Sequence, residues 1–184
     1  TGSTAGGFNS NLMQIQPAGA SNGTTGFINS TLNATVDNET SRQTVTFTFS
    51  EPVYNVSFTV WDLDGGPNFN DGTNFFNDIM TFTSSAGVPN GTPAAQVTWT
   101  PATGRAAATA NGGLTDATGN ITVTFPGPVT SVTVNHIAGA VTGSNNPTNQ
   151  AIFIEDLTFF KRPQLTLAKT VINNNGGTSA TSAF

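Results

Sequence analysis

Apolar and polar residues alternate along much of this chain, the pattern that places one face of a β-strand on a core and the other in water. In QTVTFTF, Val45, Phe47 and Phe49 share one face while Thr44, Thr46 and Thr48 share the other. In VYNVSFTVWDLD, Tyr54, Val56, Phe58 and Val60 point one way and Asn55, Ser57, Thr59 and Trp61 the other. NITVTF repeats the pattern with Ile121, Val123 and Phe125, and VTSVTVNHI continues it with Val132 and Val134. A Pro-Gly-Pro turn at Pro126 to Pro128 separates these two segments and predicts a hairpin. AIFIEDLTFF is apolar on both faces, which predicts a strand covered on both sides; IMTFT and AQVTW are shorter candidates. No window of helical length carries an amphipathic stripe with caps.

Strands recurring at short intervals between Gly, Pro and Asn clusters predict an all-β fold, an antiparallel β-sandwich of jelly-roll type. Its expected core includes Val45, Phe47, Phe49, Phe58, Phe82 and Trp99 in the first half, and Phe125, Val134, Ile154, Leu157 and Phe159 in the second. Charge and an imino acid at Lys161 to Pro163 interrupt the pattern, so the sandwich is expected over residues 1–162. Residues 163–184 form a separate C-terminal strand and tail in which Leu165, Leu167 and Val171 alternate along one face. One strand cannot bury itself, so it must pack back, serve as a linker or pair with a neighbouring subunit.

Composition narrows the function. Only 8% of the 184 residues are charged, which leaves a neutral surface of Thr, Asn, Ser and Gly. Five Lys and Arg against ten Asp and Glu argue against a nucleic-acid partner, whose phosphates need clustered cations. With no cysteine there is no disulfide framework, thiolate metal site or Cys nucleophile. No stretch approaches the ~20 apolar residues of a membrane span, so membrane insertion is not expected. A start at Thr1 without Met is consistent with an exported chain whose signal has been removed, which makes the extracellular cell surface the expected location.

The candidate chemistry lies mainly in DLDGGPNFNDGTNFFND. Asp62, Asp64, Asp71 and Asp78 fall within this segment beside Asn68, Asn70, Asn74 and Asn77. Calcium takes oxygen ligands from carboxylates, amides and carbonyls, so the four aspartates are candidate ligands of a structural calcium ion. The spacing matches no EF-hand loop, since Thr73 stands where a bidentate Glu belongs. The alternative is a turn-rich loop in which Asp and Asn side chains bond nearby backbone amides.

Signals for catalysis are sparse, and no enzymatic activity is expected. GASNG at Gly19 to Gly23 has the form of a nucleophile elbow around Ser21, without the strand and helix that such a turn joins. His136 is the only histidine and shares a strand face with Val132 and Val134, with no particular Ser or Asp paired to it by sequence. Glu155 and Asp156 are adjacent on a strand and face opposite ways, so they make no carboxylate pair. Trp61, Trp99, Phe69, Phe75 and Phe76 could form an aromatic platform for a glycan or a subunit interface.

The run VYNVSFTVWDLDG, FNDIMTF, NITVTFPGPVTSVTV and AIFIEDLTF resembles modules of large bacterial surface proteins, over roughly residues 40–160. The tail LTLAKTVINNNGGTSATSAF is similar to the opening strand of the prealbumin-like repeats in bacterial adhesin and pilus-like proteins. In some related pilin domains a Lys on this strand crosslinks to Asn, and Lys169 occupies a comparable position. These resemblances imply a subunit of an extracellular filament or a surface adhesin. It would self-associate through strand donation by the tail, anchored by Leu165, Leu167 and Val171, or by the segment before Ser41. The alternative is a calcium-stabilised carbohydrate-binding module.

Overall fold

The computed structural model describes residues 2–5, 8–16, 27–34, 39–72, 74–113, 116–142, 150–162, 166–168, 170 and 176. Among the described residues eleven strands follow in chain order: β1 Gly2–Ala5, β2 Phe8–Gln16, β3 Phe27–Ala34, β4 Arg42–Trp61, β5 Asp78–Ser84 and β6 Asn90–Pro93, then β7 Val97–Thr100, β8 Arg105–Ala108, β9 Ile121–Phe125, β10 Val129–Ala138 and β11 Gln150–Lys161. All pairings are antiparallel. The chain is an antiparallel β-sandwich, as the alternation predicts.

The two segments read separately as QTVTFTF and VYNVSFTVWDLD form one strand, β4, which belongs to both layers. Its first half lies between β1 and β10, and β10 continues the layer through β5 and β8 to β7. Its second half lies between β9 and β11; β6 flanks β9, and β3 and β2 flank β11. The parity of the buried face changes within this strand. Gln43 and Val45 are buried in the first half, whereas Val56, Phe58 and Val60 are buried in the second. Asn55 sits between them with φ of 50°, a left-handed conformation that Asn tolerates better than most residues. A single residue there shifts the two-residue period by one and turns the second half inward again.

The expected hairpin at Pro126 to Pro128 is not one. β9 pairs with β4 and β6, and β10 pairs with β4 and β5, so the turn carries the chain from one layer to the other. Gly127 makes this crossing with φ of 81°, and a Cβ there would stand 2.7 Å from the Val53 carbonyl oxygen. A two-residue period marks strands and their faces, but an arch between layers and a hairpin within one carry the same turn residues.

The core lies between the layers, where Phe58 packs against Phe47, Phe82 and Phe125 with ring centroids 6.0 to 6.3 Å apart. Val53, Leu63, Met80, Val97 and Ala106 join it from outside the expected set. Phe47, Phe49 and Trp99 are only partly buried. Leu157 and Phe159 were expected inside and are 37% and 39% exposed. Register shifts interrupt the β11–β4 ladder after Glu155 and again after Thr158, and from Leu157 onward β11 is exposed. The expectation that this strand is covered on both sides therefore does not hold. The segment before Ser41 supplies β1, β2 and β3 to the chain's own layers. Among the described residues no helix is long and apolar enough to cross a membrane.

Candidate functional site

At one end of the core the inward positions stop being apolar. The inward row of β4 runs Phe47, Val45, Gln43; that of β10 runs Val132, Val134, His136; that of β5 runs Phe82, Met80, Asp78. The facing layer adds Ser30 from β3 and Gln150 from β11, and all five polar residues are buried. Hydrogen bonds link them, although Gln150 Oε1 is left without a partner among the described residues. The Ser30 hydroxyl donates to Gln43 Oε1 and lies 3.2 Å from His136 Nδ1. His136 Nε2 stands 3.1 Å from Asp78 Oδ1, and Gln150 Nε2 donates to the same oxygen at 2.9 Å.

Ser30, His136 and Asp78 thus form a serine–histidine–aspartate row that the sequence did not pair. It is not arranged for nucleophilic catalysis. A nucleophilic serine gives its proton to the histidine and meets substrate in a cleft. Ser30 gives its proton to Gln43 and is 1% exposed. The row is a sealed polar bridge between the two layers, and His136 is fully buried in it. Ser21 lies outside the described residues.

Asp78 also belongs to a second cluster at the rim. Trp61 ends β4, and Asp62 takes φ of 66°, which swings the chain out of the strand. Asp78 N donates to the Asp64 carbonyl at 3.2 Å, and Asp64 N donates to Asp78 Oδ2 at 3.3 Å, so residues 62–64 fold back on the start of β5. Burial, with Asp78 nearby, pushes the Asp62 carboxyl up to about 6. Burial also pushes Asp64 up to about 8, helped by the charges of Asp78 and Asp62 and by a hydrogen bond to Asp78; a backbone hydrogen bond from Gly112 works the other way.

Three of the four candidate ligands therefore come together, and Asp71 stands apart from them. It closes an exposed turn in which its carboxylate accepts from Asn74 N at 2.6 Å and from Asn74 Nδ2 at 3.3 Å. For Asp71, the turn-making reading describes what the side chain does. Among the described residues no group of three or more His, Cys, Asp and Glu side chains is placed to hold a metal ion.

The rim cluster borders a groove on the outer surface of β8. One part, about 370 Å³, is lined by Glu39, Pro67, Thr98, Arg105, Ala107 and Thr109, among others. A second part, about 240 Å³, shares Pro67 and Thr109 and adds Gly65, Asn68, Phe69, Ala110 and Asn111. Arg105 and Glu39 pair at 2.8 Å across one end, which leaves the groove close to neutral. At the other end Phe69 meets Phe76 edge to face at 5.0 Å. The five aromatics expected as one platform are thus divided: Trp99 packs on Phe82 over β6, and Phe69 and Phe76 form their own pair.

Of the tail residues, Leu167 is 85% exposed, while Leu165, Lys169 and Val171 lie outside the described residues. Phe160, near the end of β11, is 65% exposed.

No protein-family model matches the sequence, and no curated protein matches it. Among solved structures the chain is similar to one from work on carbohydrate-binding modules of the beta-sandwich superfamily, with 9% identity and a TM-score of 0.43. The similarity covers 87% of this chain and 57% of that one.

Proposed function

We propose that this chain is a non-catalytic saccharide-binding module of an extracellular surface, taking a neutral glycan in the groove between Arg105 and Phe69. The observation that supports this reading is the composition of the groove. An aromatic ring, amides from Asn68 and Asn111, hydroxyls from Thr98 and Thr109 and an internally neutralised ion pair line one shallow depression. Sugar rings present apolar C–H faces and many hydroxyls, so they suit a site with one aromatic surface and several fixed polar groups. A polyanionic glycan is disfavoured by the net charge of −5.

The test is a screen of neutral glycans followed by NMR titration of the best binder. Shifts confined to Phe69, Asn111, Thr109 and Arg105, and a loss of affinity of roughly tenfold or more in Phe69→Ala and Asn111→Ala, are expected. Absence of binding across the screen, or shifts centred elsewhere, overturns the reading.

A second reading, assembly into a filament or adhesin stalk by donation of the tail strand, has its own support in the exposed Leu167 and Phe160. Negative-stain microscopy of the full chain beside one ending at Arg162 separates the two readings. Fibres from the full chain alone favour assembly, whereas uniform particles from both leave the binding module.

A further inference from the structure

Four Asn-Gly pairs occur in the chain, at Asn22, Asn90, Asn111 and Asn175. Glycine has no Cβ to shield its amide nitrogen, so that nitrogen can reach the side-chain carbonyl of the preceding Asn and close a five-membered imide. The two pairs that lie wholly among the described residues are held very differently. Asn90 and Gly91 belong to β6 and pair with Thr124 and Val123 of β9, and a Cβ on Gly91 would stand 2.5 Å from the Trp99 ring. A strand keeps the backbone extended, which holds the Gly91 nitrogen away from the Asn90 side chain. Asn111 lies exposed in the loop after β8, outside any strand, and two glycines follow it.

The surroundings of Gly112 supply what the ring closure needs. Its backbone N–H is bonded to the Asp64 carboxyl group, so a base already sits on the proton that must leave. Asp64 is fixed in turn by the fold-back of residues 62–64 on β5, where its own N–H donates to Asp78 Oδ2 at 3.3 Å. Leu63 N donates to the Gly119 carbonyl at 2.9 Å and Gln96 N to the Thr118 carbonyl at 2.9 Å. These bonds tie the segment holding Asp64 and the loop before β7 to the short 3₁₀ turn Ala117–Gly119, which follows Asn111 in the chain. A Cβ on Gly112 would stand 3.0 Å from Gln96 Oε1 and 3.9 Å from Thr118 Oγ1, so these side chains wall the glycine in beside Asp64.

We infer that Asn111 is a site of self-modification, in which the Gly112 nitrogen displaces the side-chain amide of Asn111 with Asp64 as the base. The Asp64 carboxylate takes the Gly112 proton, the nitrogen forms a bond to Asn111 Cγ, and the bond from Cγ to the side-chain nitrogen breaks. That nitrogen takes up the proton and leaves as ammonia. One water then opens the imide to an aspartyl or isoaspartyl form of residue 111. The net change is amide plus water to carboxylic acid plus ammonia, with no other reactant. Asn111 lines the groove beside Asn68 and Phe69, so the product puts a carboxylate into a site that is otherwise close to neutral. The effect on ligand affinity rests on the saccharide reading; the chemistry does not.

The experiment follows the full chain by peptide-mapping mass spectrometry at about pH 9, above the value of about 8 near which Asp64 gives up its proton, with ammonia release as a second readout. Folded chain is compared with chain unfolded in urea, where the surrounding structure no longer distinguishes one Asn-Gly pair from another. Folding speeds conversion at Asn111 by roughly tenfold and slows it at Asn90 by at least as much. Asp64→Ala brings the folded rate at Asn111 down to the unfolded rate, whereas Asp71→Ala, in a separate exposed turn, leaves it unchanged; circular dichroism checks the strand content of both. If Asp64→Ala does not fold, the comparison of folded with unfolded chain still decides. The inference is overturned if Asn111 converts no faster in the folded chain than in urea, or if folded Asp64→Ala converts as fast as the unaltered chain. Converted chain, separated by charge, binds the glycan found in the screen roughly tenfold more weakly. A screen without any binder overturns the saccharide reading, while the conversion at Asn111 is still decided by mass.

Discussion

Asp78 stands between two polar clusters that differ in how they are satisfied. Its Oδ1 faces His136 and Gln150 inside the core, both at hydrogen-bond distance, although Gln150 Oε1 has no partner among the described residues. Its Oδ2 faces the rim, where it accepts from the Asp64 N–H while the carboxyls of Asp64 and Asp62 bring more negative charge. The residue types on the two sides overlap, but the partners do not. A buried carboxylate surrounded by donors is a structural bridge; one beside other carboxylates holds its proton more tightly.

Breaking the inner bridge should have the largest effect. Asp78→Ala leaves His136 and Gln150 buried without their acceptor and should cost about 3 to 5 kcal/mol in urea unfolding, enough to populate the unfolded state under mild conditions. Ser30→Ala removes one hydroxyl from the same row and should cost about 1 to 3 kcal/mol, without touching the rim. If Ser30→Ala proves as damaging as Asp78→Ala, the row is not centred on the aspartate.

The rim should respond in the opposite sense. Asp62 and Asp64 hold their protons more tightly folded than unfolded, so the folded chain binds more protons than the unfolded chain between the unfolded value near 3.8 and the folded values of about 6 and about 8. Stability therefore falls as pH rises through that window and levels off above about 8. Unfolding measured over a pH series checks this, and Asp64→Asn should flatten the upper part of the slope and raise stability at neutral pH. A stability that instead increases steadily from pH 4 to 8 would contradict the pairing of these carboxylates. The smallest effect belongs to Asp71→Asn, which keeps an acceptor for Asn74 N in an exposed turn and should change stability by less than about 0.5 kcal/mol.

Much of the sandwich was legible in the chain. The faces of β4, β9 and β10 follow from alternation, because successive side chains on a strand point to opposite sides whatever lies beside them. The inner bridge was half legible: Asp78 lies beyond Met80, which the expected core left out, but continuing the inward rows of β4 and β10 by one step from Val45 and Val134 reaches Gln43 and His136. Parity thus marks them as inward polar residues that need partners, although it does not say which. The acidic segment between Asp62 and Asp78 was visible as a candidate, but its division into three converging aspartates and one turn residue was not. Gln96, Thr118 and Gly112 carried no signal at all, because Gln, Thr and Gly are ordinary loop residues until the fold brings them beside Asp64.

By itself, then, the sequence determined where β4, β5, β7, β9, β10 and β11 lie, which face of most of them is apolar, and that the surface is neutral and polar, since these follow from local period and composition; β1, β2, β3, β6 and β8 were not marked by it. Only the tertiary structure decided that β9 and β10 lie in opposite layers, that Ser30 meets His136 across the core, and which aspartates share a corner. These depend on the register between strands up to 106 residues apart, and a two-residue period repeats identically for every register that keeps the apolar faces inward.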